Sequence, residues 1–162
     1  MNVPQERGGR LVILGVTESD AHAVANRLIA MMLRRHGLEV VNLGVCTPLA
    51  EFADALDRHP GAEAVLIGSL NGHAHHDLRD LPALRAAGRL CRPVILGGNL
   101  SVGSHKRDAD LGRLRDLGVD HLLDDAAGLI LLLDLIHASR TPAPVPAGGA
   151  ARAELVAEAR RG

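Results

Sequence analysis

The 162-residue chain is long enough for one domain with a proper core, and its 47% hydrophobic and 23% charged residues are the balance of a soluble globular protein. A formal net charge of −1 removes the electrostatic case for nucleic acid or an anionic membrane as partner. The start MNVPQERGGR lacks the apolar segment of a signal peptide, no apolar stretch is long enough to span a bilayer, and Cys46 and Cys91 form neither a disulfide framework nor a zinc site, so a cytoplasmic location is expected.

Along the chain, apolar runs alternate with amphipathic ones. RLVILGV (10–16) predicts a strand buried on both faces, and AHAVANRLIAMMLRRHG a helix closed by Gly37. EVVNLGV (39–45) is the second strand; the helix after it takes Thr47 as N-cap and Pro48 at its first position. EAVLIGSL (63–70), RPVILGG and DHLL supply three more strands. LRDLPALRAAG, DADLGRLRDLGV and AAGLILLLDLIHASR supply the helices that follow them. Near-continuous apolar strands in five β/α units predict a doubly wound α/β fold: one parallel sheet covered on both faces, flavodoxin-like, in the order 2-1-3-4-5. With no Trp, no Tyr and the single Phe52, its core is aliphatic, and aromatic stacking is almost unavailable for gripping a flat ligand. Residues 1–9 read as an N-terminal extension, 10–138 as the domain, and 139–162, with TPAPVPAGGA, as an extended tail ending in a short helical segment.

In this topology ligands bind outside the carboxyl ends of the strands, at the switch point between strands 1 and 3. The loops that reach it are the three most unusual in the sequence: the first carries Asp20 and His22, the second reads SLNGHAHHD, and the third GGNLSVGSHK. Asp-x-His in a loop lets the carboxylate hold one imidazole nitrogen while the other reaches for a metal. Alone, the pair also reads as an N-cap and a solvated first-turn residue. HAHH (73–76) suggests zinc or nickel, but no fourth partner is evident, and a polar loop facing a partner is the simpler reading. Cys46 reads as a small buried hydrophobe at the end of strand 2.

The run GVTESDAHAVANRL, with VVNLGV, SLNG and GGNLSVG, resembles the small cobalamin-binding (sigma) subunit of glutamate mutase (methylaspartate mutase), a B12-binding domain, over roughly residues 10 to 137. That family's signature is D-x-H-x-x-G, then S-x-L, then G-G. Asp20 and His22 match the first motif, with Ala25 in place of the glycine. Leu70 matches the second, with Gly68 in place of the serine, and Gly97-Gly98 match the third.

The resemblance implies that His22 is the lower axial ligand of cobalt, displacing the cofactor's own dimethylbenzimidazole, and that Asp20 orients it. It places Ser19, Asp20, Ala21, His22, Ala23 and Ala25, then Gly68, Ser69 and Leu70, then Gly97, Gly98, Asn99, Leu100, Ser101, Val102 and Gly103 against the cofactor, adenosylcobalamin, whose nucleotide tail enters a slot between sheet and helix. Ala25 adds a methyl beside that slot. Gly68 removes a hydroxyl near the benzimidazole, a loss on the order of 1 kcal/mol. If strand alternation continues past Gly68, Ser69 points to the other side. The implied activity is that of an isomerase subunit, converting L-glutamate to threo-3-methylaspartate and inactive without a larger, barrel-type catalytic subunit for which this chain has no room. Other readings are a stand-alone cobalamin carrier or regulatory module, and a degenerate fold acting only as an interaction protein, for which Ala25 and Gly68 are the evidence.

Overall fold

The computed structural model describes residues 7–98 and 107–140. Five parallel strands, β1 (Leu11–Val16), β2 (Glu39–Asn42), β3 (Ala64–Gly68), β4 (Val94–Gly97) and β5 (His121–Leu123), form one sheet in the order β2-β1-β3-β4-β5. The predicted fold is therefore the observed one, with β1 and β3 adjacent at its centre. Among the described residues six helices accompany it: α1 (Ala23–Arg35), α2 (Leu49–Arg58), α3 (Ala74–Asp77), α4 (Leu81–Ala86), α5 (Arg107–Asp116) and α6 (Leu129–Arg140), the last preceded by a 3-10 turn at Ala126–Gly128.

The period-2 alternation of the strands divides the core. Ile13, Val65, Ile67, Val94 and Leu96 face α2 to α5, and Val12, Leu14, Ala64, Leu66 and Ile95 face α1 and α6. The lone aromatic, Phe52, fills the first layer. A Cβ at Gly15 would lie 2.6 Å from its ring, so the strand has glycine where the aromatic crosses it.

Local punctuation explains most boundaries. Gly37, at φ +84°, ends α1 in a Schellman turn: Leu38 N–H donates to Leu33 O at 3.1 Å and Gly37 N–H to Arg34 O at 3.0 Å. Other expectations are corrected. Strand β2 stops at Asn42, because Gly44 and Cys46 both take positive φ and turn the chain. Cys46 sits on that turn and is exposed, not buried. Thr47 does not cap α2. Its backbone bridges to Thr17 and its hydroxyl lies 3.4–3.5 Å from the carbonyls of Leu43, Gly44 and Val45, so Pro48 holds the N-cap position without a side-chain bond. Ser139 and Arg140 belong to α6; residues 141–162 of the expected tail and 1–6 of the extension lie outside the described residues.

The amino end of the sheet is locked by charge. Arg10, just before β1, is 7% exposed and grips Glu63, just before β3, with bonds of 2.7 and 3.0 Å. It also reaches Asp134 on α6 at 2.8 Å, which Arg7 holds from the other side at 3.0 and 2.8 Å. His137 contacts Glu63 at 2.7 Å. These bonds tie the ends of two central strands to α6, and each buried charge has its partner, as burial demands.

The Arg7 guanidinium foremost, and Arg10 with it, outweigh burial and hold the Asp134 carboxyl down at about 2 against an ordinary 3.8. A depressed carboxyl stabilises the fold above its unfolded pKa, and that contribution is lost as pH falls through the folded one. Chemical denaturation across pH is expected to show on the order of 2 kcal/mol disappearing between about pH 4 and 2. Asp134→Asn should lose it already at neutral pH and flatten that part of the curve.

Candidate functional site

The carboxyl ends of β1, β3 and β4 bring the first two of the unusual loops together. Asp20 stands at their junction, 1% exposed. One carboxylate oxygen, Oδ1, accepts from the His22 backbone N–H at 3.0 Å and lies 2.5 Å from His22 Nδ1. The other, Oδ2, accepts from Leu70 N at 2.5 Å and from Asn71 N at 3.3 Å. The Asp20 main chain adds a third loop, since Cys46 N–H donates to Asp20 O at 3.0 Å. Burial by itself pushes the Asp20 carboxyl up. The N–H of Leu70 and the ring and backbone N–H groups of His22 more than offset it, and the net shift is downward.

An ionised Asp20 can only accept, so the hydrogen on the His22 ring lies on Nδ1. The lone pair is then on Nε2, which has no hydrogen-bond partner among the described residues, on a side chain 59% exposed. His22 occupies the N-cap position of α1 without capping it through its side chain. It is thus a nitrogen of a kind able to ligate a metal, presented to solvent and backed by a carboxylate that fixes its tautomer.

Beside it, between the sheet and α1 and α6, lies a cavity of about 420 Å³. That is within the roughly 300 to 1,000 Å³ of small-molecule sites. His22, Ala25, Gly68, Ser69, Leu70, Gly97 and Gly98 border it, over a floor of Leu14, Leu66 and Ile95. A Cβ at Gly68 would meet nothing nearer than Val16 Cγ2 at 3.6 Å, and one at Gly97 nothing nearer than Leu123 O at 3.7 Å, so the missing side chains leave usable room. Gly98 differs. At φ +138° its Cβ would lie 2.0 Å from Ser69 O, so only glycine lets β4's exit pass that close to β3's. Two residues at the cavity carry buried polar atoms without partners among the described residues, Ser69 Oγ and Asn26 Nδ2. An apolar slot, orphaned polar atoms and an outward-facing imidazole nitrogen fit a metal macrocycle with a buried side arm.

Of the residues singled out in the sequence, Asp20, His22, Ala25, Gly68, Ser69, Leu70, Gly97 and Gly98 converge here. Ser69 borders the cavity because β3 ends at Gly68 and the alternation stops there. Ser19 and Ala21 are exposed on the same loop and Ala23 begins α1. Asn99, Leu100, Ser101, Val102 and Gly103 lie outside the described residues. HAHH is not a loop: the Asn71 side chain accepts the His73 N–H at 3.1 Å and a helical turn, α3, begins there. His73, His75 and His76 are exposed, and among the described residues no three His, Cys, Asp or Glu side chains are grouped to hold a metal. Sequence reading missed Asn26 and Asn71. Asn26 is four residues after His22, on the same helix face, a spacing that makes it visible in retrospect. Asn71 has no such signal.

The B12 binding domain family matches residues 10–114. The glutamate mutase sigma subunit of Halobacterium salinarum is 38% identical over 125 residues, covering 77% of this chain and 83% of that protein. Sigma subunit 1 of Haloarcula marismortui is 41% identical over 115 residues, covering 71% and 76%. Among solved structures, a cobalamin-binding protein from Desulfitobacterium hafniense superposes with a TM-score of 0.64 at 24% identity over 78% of this chain and 58% of that one. The methanol:cobalamin methyltransferase complex MtaBC of Methanosarcina barkeri gives 0.62 at 24%, over 86% and 50%. At that identity the likeness is one of fold, and the chain spans 58% and 50% of the length of those two structures.

Asp20→Asn tests the junction. An amide offers one acceptor oxygen where the carboxylate uses two, so either Leu70 and Asn71 or His22 must face an NH₂ group. The substitution is expected to cost about 2–3 kcal/mol in denaturant unfolding, as loss of a buried charge-assisted bond does. Glu18→Gln, exposed on the same loop, should stay within about 0.5 kcal/mol of the parent.

Proposed function

The chain belongs to the B12-binding domain family, among the glutamate mutase sigma subunits, and from that premise we propose that it is the cobalamin-binding subunit of an adenosylcobalamin-dependent carbon-skeleton mutase, converting L-glutamate to threo-3-methylaspartate with a separate catalytic chain. The observation that carries this reading is the Asp20–His22 pair at the mouth of an apolar cavity. Bound there, the cofactor supplies radical chemistry that no side chain offers. The protein's part is to hold it and present it.

In this reading His22, through Nε2, would be the residue that holds the cofactor's cobalt. Asp20 keeps the ring in the tautomer that leaves that nitrogen free. The cavity bordered by Gly68 and Gly97 and floored by Leu14, Leu66 and Ile95 would hold the cofactor's nucleotide tail. Ser69 and Asn26 are the polar groups nearest to satisfy it. Ala25 narrows the entrance by one methyl and Gly68 widens it, and the cavity that persists between them counts against a degenerate fold that has lost its ligand.

The substrate and the rest of the reaction belong to the partner. The edge carrying the β1 and β3 loops would be where a larger, barrel-type chain docks to reach the cofactor that these loops hold. Val24, two residues from His22, is exposed and continues with Leu28 and Met31 down one side of α1, an apolar stripe of the sort that partner chains cover.

Mixed with cobalamin and desalted, the protein is expected to retain the chromophore with a base-off absorption spectrum. In the cob(II)alamin form, nitrogen-15 labelling of the histidines should change the axial superhyperfine splitting in electron paramagnetic resonance. His22→Ala should abolish that change and weaken binding strongly, whereas substitutions of His73, His75 or His76 should leave it intact. A label without effect in the parent protein removes the axial assignment.

The isolated chain should show no turnover of glutamate with adenosylcobalamin. Measurable turnover without a second protein contradicts the subunit reading.

A further inference from the structure

Next to Asp20 the same loop is held a second time, by Ser19, which the resemblance places near the cofactor, and by Asn71 and Asp77, to which neither the motifs nor the proposed function assigns a role. Asn71 Nδ2 donates to Ser19 O at 2.8 Å and to Ser19 Oγ at 2.9 Å. The Ser19 hydroxyl in turn donates to Asp77 Oδ2 at 2.6 Å. The orientation of the Asn71 amide follows from its other end: Oδ1 is taken by the His73 N–H at 3.1 Å, so the NH₂ group is the one facing Ser19. Every group in this chain has one consistent role, and the carboxylate at its end lies on α3.

We propose that Asn71, with Ser19 and Asp77, forms a positioning latch that keeps the β1–α1 loop closed on the β3–α3 loop and so aims the His22 ring before cofactor arrives. Asp20 and Ser19 are consecutive, and each is pinned to the segment from Leu70 to Asp77 by its own bonds. One pin leaves the loop free to pivot about it, and two adjacent pins remove that rotation. The direction in which the chain leaves Asp20 towards His22 is then fixed. Without the latch, the ordering entropy of this loop falls due when the ligand binds, and the competent conformer is a fraction of the population. The bonds are exposed and individually weak, so the latch acts on the population of the loop and not on the stability of the domain.

The inference rests on His22 being the ligand, and the test separates the two. Asn71→Ala, Ser19→Ala and Ser19→Thr are made in the full chain. Amide hydrogen exchange of residues 18–24 is read without cofactor, and cobalamin association and dissociation are read by stopped-flow absorption. With the latch as proposed, Asn71→Ala and Ser19→Ala speed exchange in that segment and slow association, each by about tenfold, since each removes two or three exposed bonds of small net worth. Dissociation and the histidine nitrogen splitting of the bound form stay as in the parent, and Ser19→Thr, which keeps the hydroxyl, restores parental behaviour. A merely structural bond would lower the unfolding midpoint and leave association alone. Parental exchange in both alanine variants overturns the proposal, as does faster exchange with unchanged association. If His22→Ala binds cobalamin as well as the parent, it is the ligand assignment that fails, and the exchange result still shows whether the latch exists.

Discussion

A carboxylate that is 1% exposed and ionised must be surrounded by donors, and the carboxyl edge of this domain is arranged around meeting that demand for Asp20. Its acceptors draw in two backbone N–H groups from the loop after β3 and both the ring and the backbone N–H of His22. Its own carbonyl takes Cys46 from the loop after β2. Three loops from three strands thus share one residue, and none can rearrange without uncovering a charge. The opposite edge of the sheet has the same solution in other residues. There Arg10 and Glu63 tie the ends of β1 and β3 to α6. One edge is closed on itself, and the other leaves a nitrogen of its charged cluster facing out.

The cavity follows from what the core is made of. An aliphatic core with one aromatic fills its first layer with Phe52, while the layer under α1 and α6 narrows to Ala25, Gly68 and Gly97 at the carboxyl edge. Small residues there cost stability, since empty apolar volume forfeits roughly 24 cal/mol per Å³ of contact that a filled core would have. A domain optimised only for stability would fill the space, and both Gly68 and Gly97 have room for a side chain. Their absence at two adjacent strand ends is the mark of a volume kept for a ligand.

What was legible in the sequence is what local chemistry decides. Runs such as LVIL and AVLI can only be strands covered on both faces, and Gly37 can only be a helix stop, so the topology and its switch point followed. Asp20, His22, Gly97 and Gly98 were legible through their motif. The structure adds a reason for Gly98 that no pattern contains, the carbonyl of Ser69 lying where a Cβ would be. The illegible parts are those decided across loops. Thr47 carries the chemistry of an N-cap but is drawn into a bridge with Thr17. HAHH reads as loop until Asn71, two residues upstream of His73, starts a helical turn. Cys46 is exposed because the turn that Asp20 stabilises lifts it out of the sheet.

Asp20 and His22 also differ in exposure in a way that matters for their joint role. The carboxylate is held by four donors, only one of which is the imidazole; the Leu70 and Asn71 N–H groups hold its other oxygen from a second loop. The imidazole, by contrast, has one anchor, Nδ1 on Asp20, and otherwise stands in solvent. A ring anchored at one nitrogen is fixed in tautomer but retains a pivot, and a ligand arriving at Nε2 removes the pivot without displacing any protein bond. Binding therefore breaks nothing that folding made. The stability of the junction and the reactivity of its outer nitrogen are set by different bonds to the same carboxylate, and the site can be rigid within the domain while open to a ligand.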